Sequence, residues 1–556
     1  QINCGIRMQG GAGEFSGGTT LNRWKSYKLS FRLNFRGAYD GKLEHPLFGP
    51  DAAQTYDTIV LDCRPQNSWV HPDSTQRLHG EYVRDQVSSD LQLAMGGYGC
   101  HGRPLHLYLN GMYWGLYWMH ERPDDAFAAS YMGGEEDDYD VIKHDVSNVI
   151  SGDNADYIAM FALSATSPDA ITAFENLSQK LDVADFIDYL LANFYLGNGD
   201  WDHKNWYATR NRFDPDGRWR WHMWDGEHVM DDGTYTPEDV TTKNNSMAPT
   251  GLHQKWIGNP EYRMLFADRV HKHFFHDGAM MPDRFAALFT RLTDWIDRAI
   301  VGESARWGDN RRSTPYTRNA EWVAECNRLL TSFIPPRRDV VMAQFTGKSP
   351  AWYPVVAAPE FSINGQVQYG GDAETGATLS MSSSYPVWYT LDGSDPRLPG
   401  GGIHTASAGA YSGPITLDAS AAVCARTRTS GGVWSALAEA VFAVGPVAET
   451  LRITELMYHP VESDLEFIEL KNIGTEPLNL NLVQFTKGIG HTFGDVSVAA
   501  GGYVLLVKDK PLFEAAYPDL PAGVPVVQWT DGKLDNAGET LTFVDALGRE
   551  IQSFAY

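Results

Sequence analysis

The chain has little cysteine and no paired cysteine motif. Its 556 residues hold five cysteines, Cys4, Cys63, Cys100, Cys326 and Cys424, all far apart. Without a Cys-x-x-Cys pair, the spacing argues against a zinc ribbon. The odd count leaves at least one free thiol. A bridge such as Cys63 to Cys100 is compatible with the sequence, and buried free thiols are the plainer reading. No apolar run approaches the roughly 18 residues that a membrane helix needs. The chain opens at Gln1 without a charged, apolar leader, so any signal peptide is expected to be missing from it. Basic residues are also short: 45 Lys and Arg face 70 Asp and Glu, a formal net charge of −25. That balance argues against nucleic acid as a partner, because nucleic acid needs a basic footprint. A serine hydrolase finds no support, since no Gly-x-Ser-x-Gly elbow precedes a helix.

Aromatics, by contrast, are plentiful, with 17 Trp and 26 Tyr, and long disorder is not expected. At about 150 residues per domain the length allows three or four domains. Tyr27 to Phe35 alternates apolar and polar residues and reads as a strand. Pro104 to Trp118 reads as a hairpin about the Asn110-Gly111 turn. From Asp182 the pattern turns helical, with Phe186, Tyr189, Leu190 and Phe194 on one face. Residues 260–300 and 317–345 also read as helices. Ser349 to Pro354 is a proline-bearing linker. Beyond it, short alternating runs separated by turns predict two β-sandwiches, with one short helix near Pro511–Tyr517.

The chemistry is concentrated in Gly199-Asp200-Trp201-Asp202-His203-Lys204-Asn205 and the later Trp224-Asp225-Gly226-Glu227. An Asp, an Asn five positions on and a further Asp after a hairpin-like segment is phosphotransferase spacing. In that chemistry one Asp orients the attacking hydroxyl, and the Asn and second Asp hold divalent metal. The offset to Asn205 favours Asp200. Asp202 is a second catalytic candidate, a metal contact or a helix cap. Alone, such a loop is more often an Asx-rich turn. Asp225 closes an aromatic strand, a suitable place for a metal ligand, and Glu227 adds a carboxylate for a hard cation. His222 reads as a satisfied core residue. The glycine-rich residues 10–18, with Arg23, Lys25, Lys28 and Arg32 close behind, offer amides and positive charge to phosphates, or form a plain turn. Two carboxyls about 5–10 Å apart would also serve a glycosidase, but Asn205 and the basic strand fit a nucleotide better.

Four ordered segments resemble the CotH family of spore-coat-protein-H-like atypical kinases. They are Lys28 to Phe35, Leu107 to Tyr117 with Glu121, Asn198 to Tyr207, and Trp221 to His228. Leu29 replaces the second Lys of the family's pair, and Glu227 stands where many members have Asp. The resemblance implies a two-lobed atypical protein-kinase-like domain over 1–346 that uses ATP with Mg²⁺ or Mn²⁺ (Ca²⁺ is an option). Asp200 and Asp202 would be catalytic. Lys28, Arg32 and Glu121 would hold the cofactor, with Lys28 paired to Glu121. Asn205, Asp225 and Glu227 would bind metal. Residues 354–446, with Trp388 to Pro396, resemble a chitobiase/hexosaminidase C-terminal sandwich. Residues 449–556, with Ile453 to Pro460 and Glu466 to Leu470, resemble an immunoglobulin-like lamin-tail domain. The expected fold class is therefore α+β with two immunoglobulin-like sandwiches at the end. These resemblances imply an extracellular or cell-surface bacterial protein acting on Ser or Thr of a protein substrate. The alternatives are a non-catalytic surface-binding scaffold, or a carbohydrate-directed accessory whose sandwiches bind polysaccharide or another surface ligand.

Overall fold

The computed structural model describes residues 2–10, 27–64, 66–233 and 239–556. The glycine-rich stretch beyond Gly10, with Arg23 and Lys25, lies outside the described residues. The chain forms two compact units, residues 1–353 and 354–556. Among the described residues no helix is long and apolar enough to cross a membrane. All five cysteines are free thiols, and four of them are buried.

The first unit is strand-rich at its front and helix-rich at its back. Strands β1 (Gly5–Gln9), β2 (Ser30–Asn34), β3 (Thr58–Asp62), β4 (Gly102–Leu109) and β5 (Met112–His120) form an antiparallel sheet in the order β1-β2-β3-β5-β4. Its period-two alternation sends Phe31, Leu33, Ile59, Leu61 and Tyr117 into one apolar cluster. The opposite face carries Arg32, Val60 and His120 in one cross-strand row. Helix α1 (Arg84–Ala94) packs against the helices Val183–Leu196 and Pro282–Ile296 and the strand Arg220–Met223. The β4–β5 hairpin turns at Asn110-Gly111. Gly115 within it has φ +137°, and a Cβ there would lie 2.8 Å from Glu303 Oε2 and 3.1 Å from Lys28 Cε. Only glycine tolerates both that backbone and that closeness.

A second sheet, in the order β9-β8-β6-β7, comprises β6 (Tyr139–Lys143), β7 (Val149–Ser151), β8 (Trp206–Asn211) and β9 (Arg220–Met223). Helix α2 (Asp125–Met132) leads into it. Helix α3 (Val183–Leu196) is capped by the Asp182 carboxylate, ends at left-handed Gly197 and is almost wholly buried. Helices α4 (Pro249–Trp256), α5 (Pro260–Phe274), α6 (Pro282–Ile296) and α7 (Ala299–Trp307) follow, and helical backbone runs from Arg318 to Thr346. His222 on β9 is a buried, satisfied histidine between Thr209 Oγ1 (2.7 Å) and the Tyr98 carbonyl (2.8 Å).

In the second unit, a four-stranded and a five-stranded sheet enclose Phe361, Leu379, Val423 and Phe442. A further four-stranded and five-stranded pair encloses Leu470, Phe485, Leu506 and Phe543. The expected short helix spans Lys510–Ala516. The fold is thus α+β, with a mixed sheet-and-helix front region followed by β-sandwich sheets.

Candidate functional site

The loop after α3 is fixed from several sides. The Gly199 amide donates to the His228 carbonyl at 3.0 Å, and Lys243 Nζ donates to the carbonyls of Gly199 (2.8 Å) and Trp201. Trp201 is fully buried, its indole N–H on Tyr189 Oη at 2.7 Å. Held this way, the loop treats its two aspartates differently. Asp200 keeps contact with solvent. Asn205 Nδ2 donates to both its carbonyl (3.0 Å) and its Oδ2 (3.1 Å), and Lys204 Nζ lies 3.5 Å away. Asn205 stands at φ +67°, with its amide on His144 Nδ1 at 2.7 Å. Burial lowers the His144 pKa to about 3, so its ring is a neutral acceptor.

Asp202, expected beside Asp200 as a catalytic carboxylate, is fully buried and already engaged. It accepts from the Thr250 amide (2.6 Å), Thr250 Oγ1 (3.0 Å) and Asn245 Nδ2 (2.7 Å). It therefore ties the loop to the first turn of α4, satisfying an amide the helix leaves free.

Asp225 follows β9 at φ +60°, an uncommon backbone for a non-glycine residue. The next amide, Gly226 N, donates to Asp85 Oδ1 at 2.7 Å, and a Cβ on Gly226 would meet Ser88 Oγ at 2.3 Å. Close approach to α1 thus requires glycine here. Water reaches the Asp225 side chain, yet protein surrounds it elsewhere. That enclosure, then Asp85 and Asp62, pushes its carboxyl up to about 6, with Lys143 opposing. Glu227 is 6% exposed and is raised further, by burial and then by Asp225, Asp62 and Asp85.

Sequence reasoning missed the residues that face this pair. Arg64 Nη1 bridges Asp62 Oδ2 (2.9 Å) and Asp85 Oδ2. Its Nε and Nη2 are buried without a hydrogen-bond partner among the described residues. Lys143, at the end of β6, lies 5.1 Å from the centres of both the Tyr207 and Trp224 rings. Burial, then Arg122, lowers its amine to about 8, against the pull of Asp225. His120 completes the group with Asp62 and Asp85. The apolar run Ile59-Val60-Leu61 that ends in Asp62, with Arg64 just beyond it, was the available signal.

Lys28 requires a correction. It is fully buried, and its ammonium donates to Glu303 Oε1 (2.8 Å) and the Leu116 carbonyl (2.6 Å). Glu121, the expected partner, instead accepts from the His101 amide (2.8 Å) and Tyr131 Oη (2.7 Å). Sheet register explains the difference. Arg32 aligns with Val60 and Val60 with His120. Lys28 therefore lies level with Leu116, and Glu121 stands five residues farther along, roughly 16 Å at strand rise. Arg32 lies on the sheet face opposite Phe31 and Leu33, buried, with its Nε unpartnered among the described residues.

Residues 15–341 match the family model described as CotH kinase protein. The chain belongs to the CotH kinase family. A search of curated proteins finds no match. Among solved structures, the fibronectin(III)-like modules of Clostridium thermocellum CbhA are similar at 14% identity, covering 35% of this chain and 90% of that one. The TM-score is 0.12, a likeness too slight to bear on fold or function. As a CotH family member the chain is a kinase-like protein, and the family implies ATP, a divalent metal and a protein substrate. The donor set fits such a metal: Asn205, Asp225 and Glu227 offer the oxygens a hard cation takes, and a cation beside Asp225 would relieve its repulsion by Asp62 and Asp85.

Proposed function

We propose that this CotH family member is a secreted protein kinase that transfers the γ-phosphoryl group of ATP to Ser or Thr of a protein. The observation carrying this reading is the double hydrogen bond from Asn205 to Asp200, whose charge also acts on Asp225. Asp200 would orient the acceptor hydroxyl and take its proton as that oxygen bonds to the γ-phosphorus, while the bond to the β,γ-bridging oxygen breaks and ADP leaves. Asn205 and Asp225, assisted by Glu227, would hold Mg²⁺ or Mn²⁺. That metal, when bound with ATP, supplies neutralisation of phosphate charge. Arg64, with two unpartnered nitrogens, takes over the phosphate role expected of Lys28, and Arg32 and Lys143 add positive charge.

The burial of Lys28 against Glu303 favours a second reading, a surface scaffold that has lost transfer. The terminal sandwiches are, in our reading, a chitobiase-type module (354–446) and a lamin-tail module (449–556) that attach the kinase domain to a cell-surface protein or polysaccharide.

Thermal melting with ATP and Mg²⁺ or Mn²⁺ decides between the two readings. A ligand at a hundred times its Kd adds about 2.7 kcal/mol to the folded state. A metal-dependent rise in wild type, absent in Asp225→Ala, supports the kinase and predicts phosphoryl transfer lowered about 100-fold or more in that variant. No rise with any nucleotide sinks it in favour of the scaffold.

A further inference from the structure

In the first unit, one ligand atom each from Asp62, Asp85 and His120 lie within 4.8 Å of one another. They come from three separate elements: the end of β3, the first turn of α1 and the end of β5. The histidine is the informative member. Its Nδ1 lies 2.7 Å from the Glu121 carbonyl, which can only accept, so Nδ1 carries the proton. Nε2 is left with a lone pair, and no donor reaches it among the described residues. His120 is 6% exposed. A backbone carbonyl on one imidazole nitrogen is the usual way a protein aims the other at a metal.

The carboxylates retain capacity as well. Asp62 takes Ser30 Oγ (2.8 Å), the Arg64 amide (3.0 Å) and Arg64 Nη1 (2.9 Å). Asp85 takes the Gly226 amide (2.7 Å) and Arg64 Nη1. Each ionised carboxylate has about four acceptor sites, so both keep lone pairs. Charge points the same way: Asp62, Asp85, Asp225 and Glu227 repel one another, against the opposing charges of Arg64 and Lys143. A metal on Asp225 alone would ease that excess. It would not use the His120 lone pair.

We propose that Asp62, Asp85 and His120 bind a divalent cation of their own, distinct from the metal expected with ATP on Asn205 and Asp225, with Glu227 adjoining it. One imidazole with carboxylates suits Mn²⁺ or Zn²⁺ better than Mg²⁺ or Ca²⁺, which prefer oxygen throughout. The ion would join α1 to both β3 and β5, reinforcing the Arg64 bridge between α1 and β3. It requires no nucleotide, so it stands or falls apart from the kinase reading.

The test uses the full chain, stripped with chelator and titrated with Mn²⁺ in the absence of nucleotide. Bound Mn²⁺ is counted by electron paramagnetic resonance, and pulsed measurements read coupling to an imidazole nitrogen. Wild type and Asp225→Ala should both bind a nitrogen-coupled Mn²⁺. His120→Gln, and separately Asp62→Asn, should weaken that binding about tenfold or more, and His120→Gln should abolish the coupling, with circular dichroism confirming that each variant is folded. Absence of nitrogen coupling in wild type overturns the proposal without reference to any variant. Binding that survives His120→Gln but is lost in Asp225→Ala also overturns it, since the ion would then belong to the ATP site.

Discussion

The second unit and the surroundings of Asp225 in the first handle buried charge in opposite ways. In the second unit, Arg426 is 1% exposed and forms a two-pronged pair with Asp395 at 2.7 and 2.6 Å, and donates to the Ser435 carbonyl at 2.9 Å. Glu466 is likewise matched by Lys508 Nζ (2.9 Å) and the Leu534 amide (2.8 Å). Around Asp225 in the first unit, carboxylates gather instead, and burial together with these neighbours raises Asp225 and Glu227. Desolvated like charges cost stability, and chains keep them where a ligand will supply the missing counter-charge. The difference separates a region built for cohesion from one built to receive a cation or phosphate.

The comparison also runs inside the first unit, where Lys28 behaves like the second unit's charges. Lys28→Met leaves Glu303 buried without its cation and should cost about 3–5 kcal/mol by denaturant unfolding. A cost near zero would return Lys28 to the list of cleft residues. Next in size, Asp202→Ala should lose about 2–3 kcal/mol by stranding the Thr250 and Asn245 donors. Asp200→Ala should stay within about 0.5 kcal/mol of wild type while transfer falls. Equal losses would erase the division between the two aspartates. In the second unit, Arg426→Met should lower stability by about 2 kcal/mol, since Asp395 is partly hydrated, and leave any ATP-dependent melting shift unchanged.

The smallest effect has the opposite sign. The Asp225 carboxyl titrates near 6 in the folded chain and at the ordinary 3.8 when unfolded. Between those values the folded state binds more protons, so this group favours folding below about pH 4 and loses that contribution as pH rises through about 6. Asp225→Asn should flatten that decline and melt above wild type at pH 7–8. A variant that melts lower at neutral pH would mean that the carboxylate is matched after all.

Legibility in the sequence followed the range of the interaction. The Asn110-Gly111 hairpin and the α3 helix with its Asp200 loop rest on spacings of a few residues, and both were readable. The Lys28 partner was not, because it depends on register across β2, β3 and β5. Helix α1 was missed for a different reason. Its buried face includes Arg84, Asp85, Gln86, Ser88 and Gln92, so it is buried by polar pairing and shows little apolar periodicity. Arg64, Asp85 and His120 were hidden with it, and they line the candidate site. Asp202 carried both readings in sequence, and only its donors separate them.

Gly115 has a consequence for anyone mapping this family by mutation. It sits in a hairpin motif away from the cleft, yet its missing side chain is the gap through which Lys28 reaches Glu303. A random library screened for lost activity would return replacements at this position, and the hit would look like a contact with substrate. The defect would be one of assembly, traceable by its failure to change the apparent affinity for ATP in whatever fraction still folds.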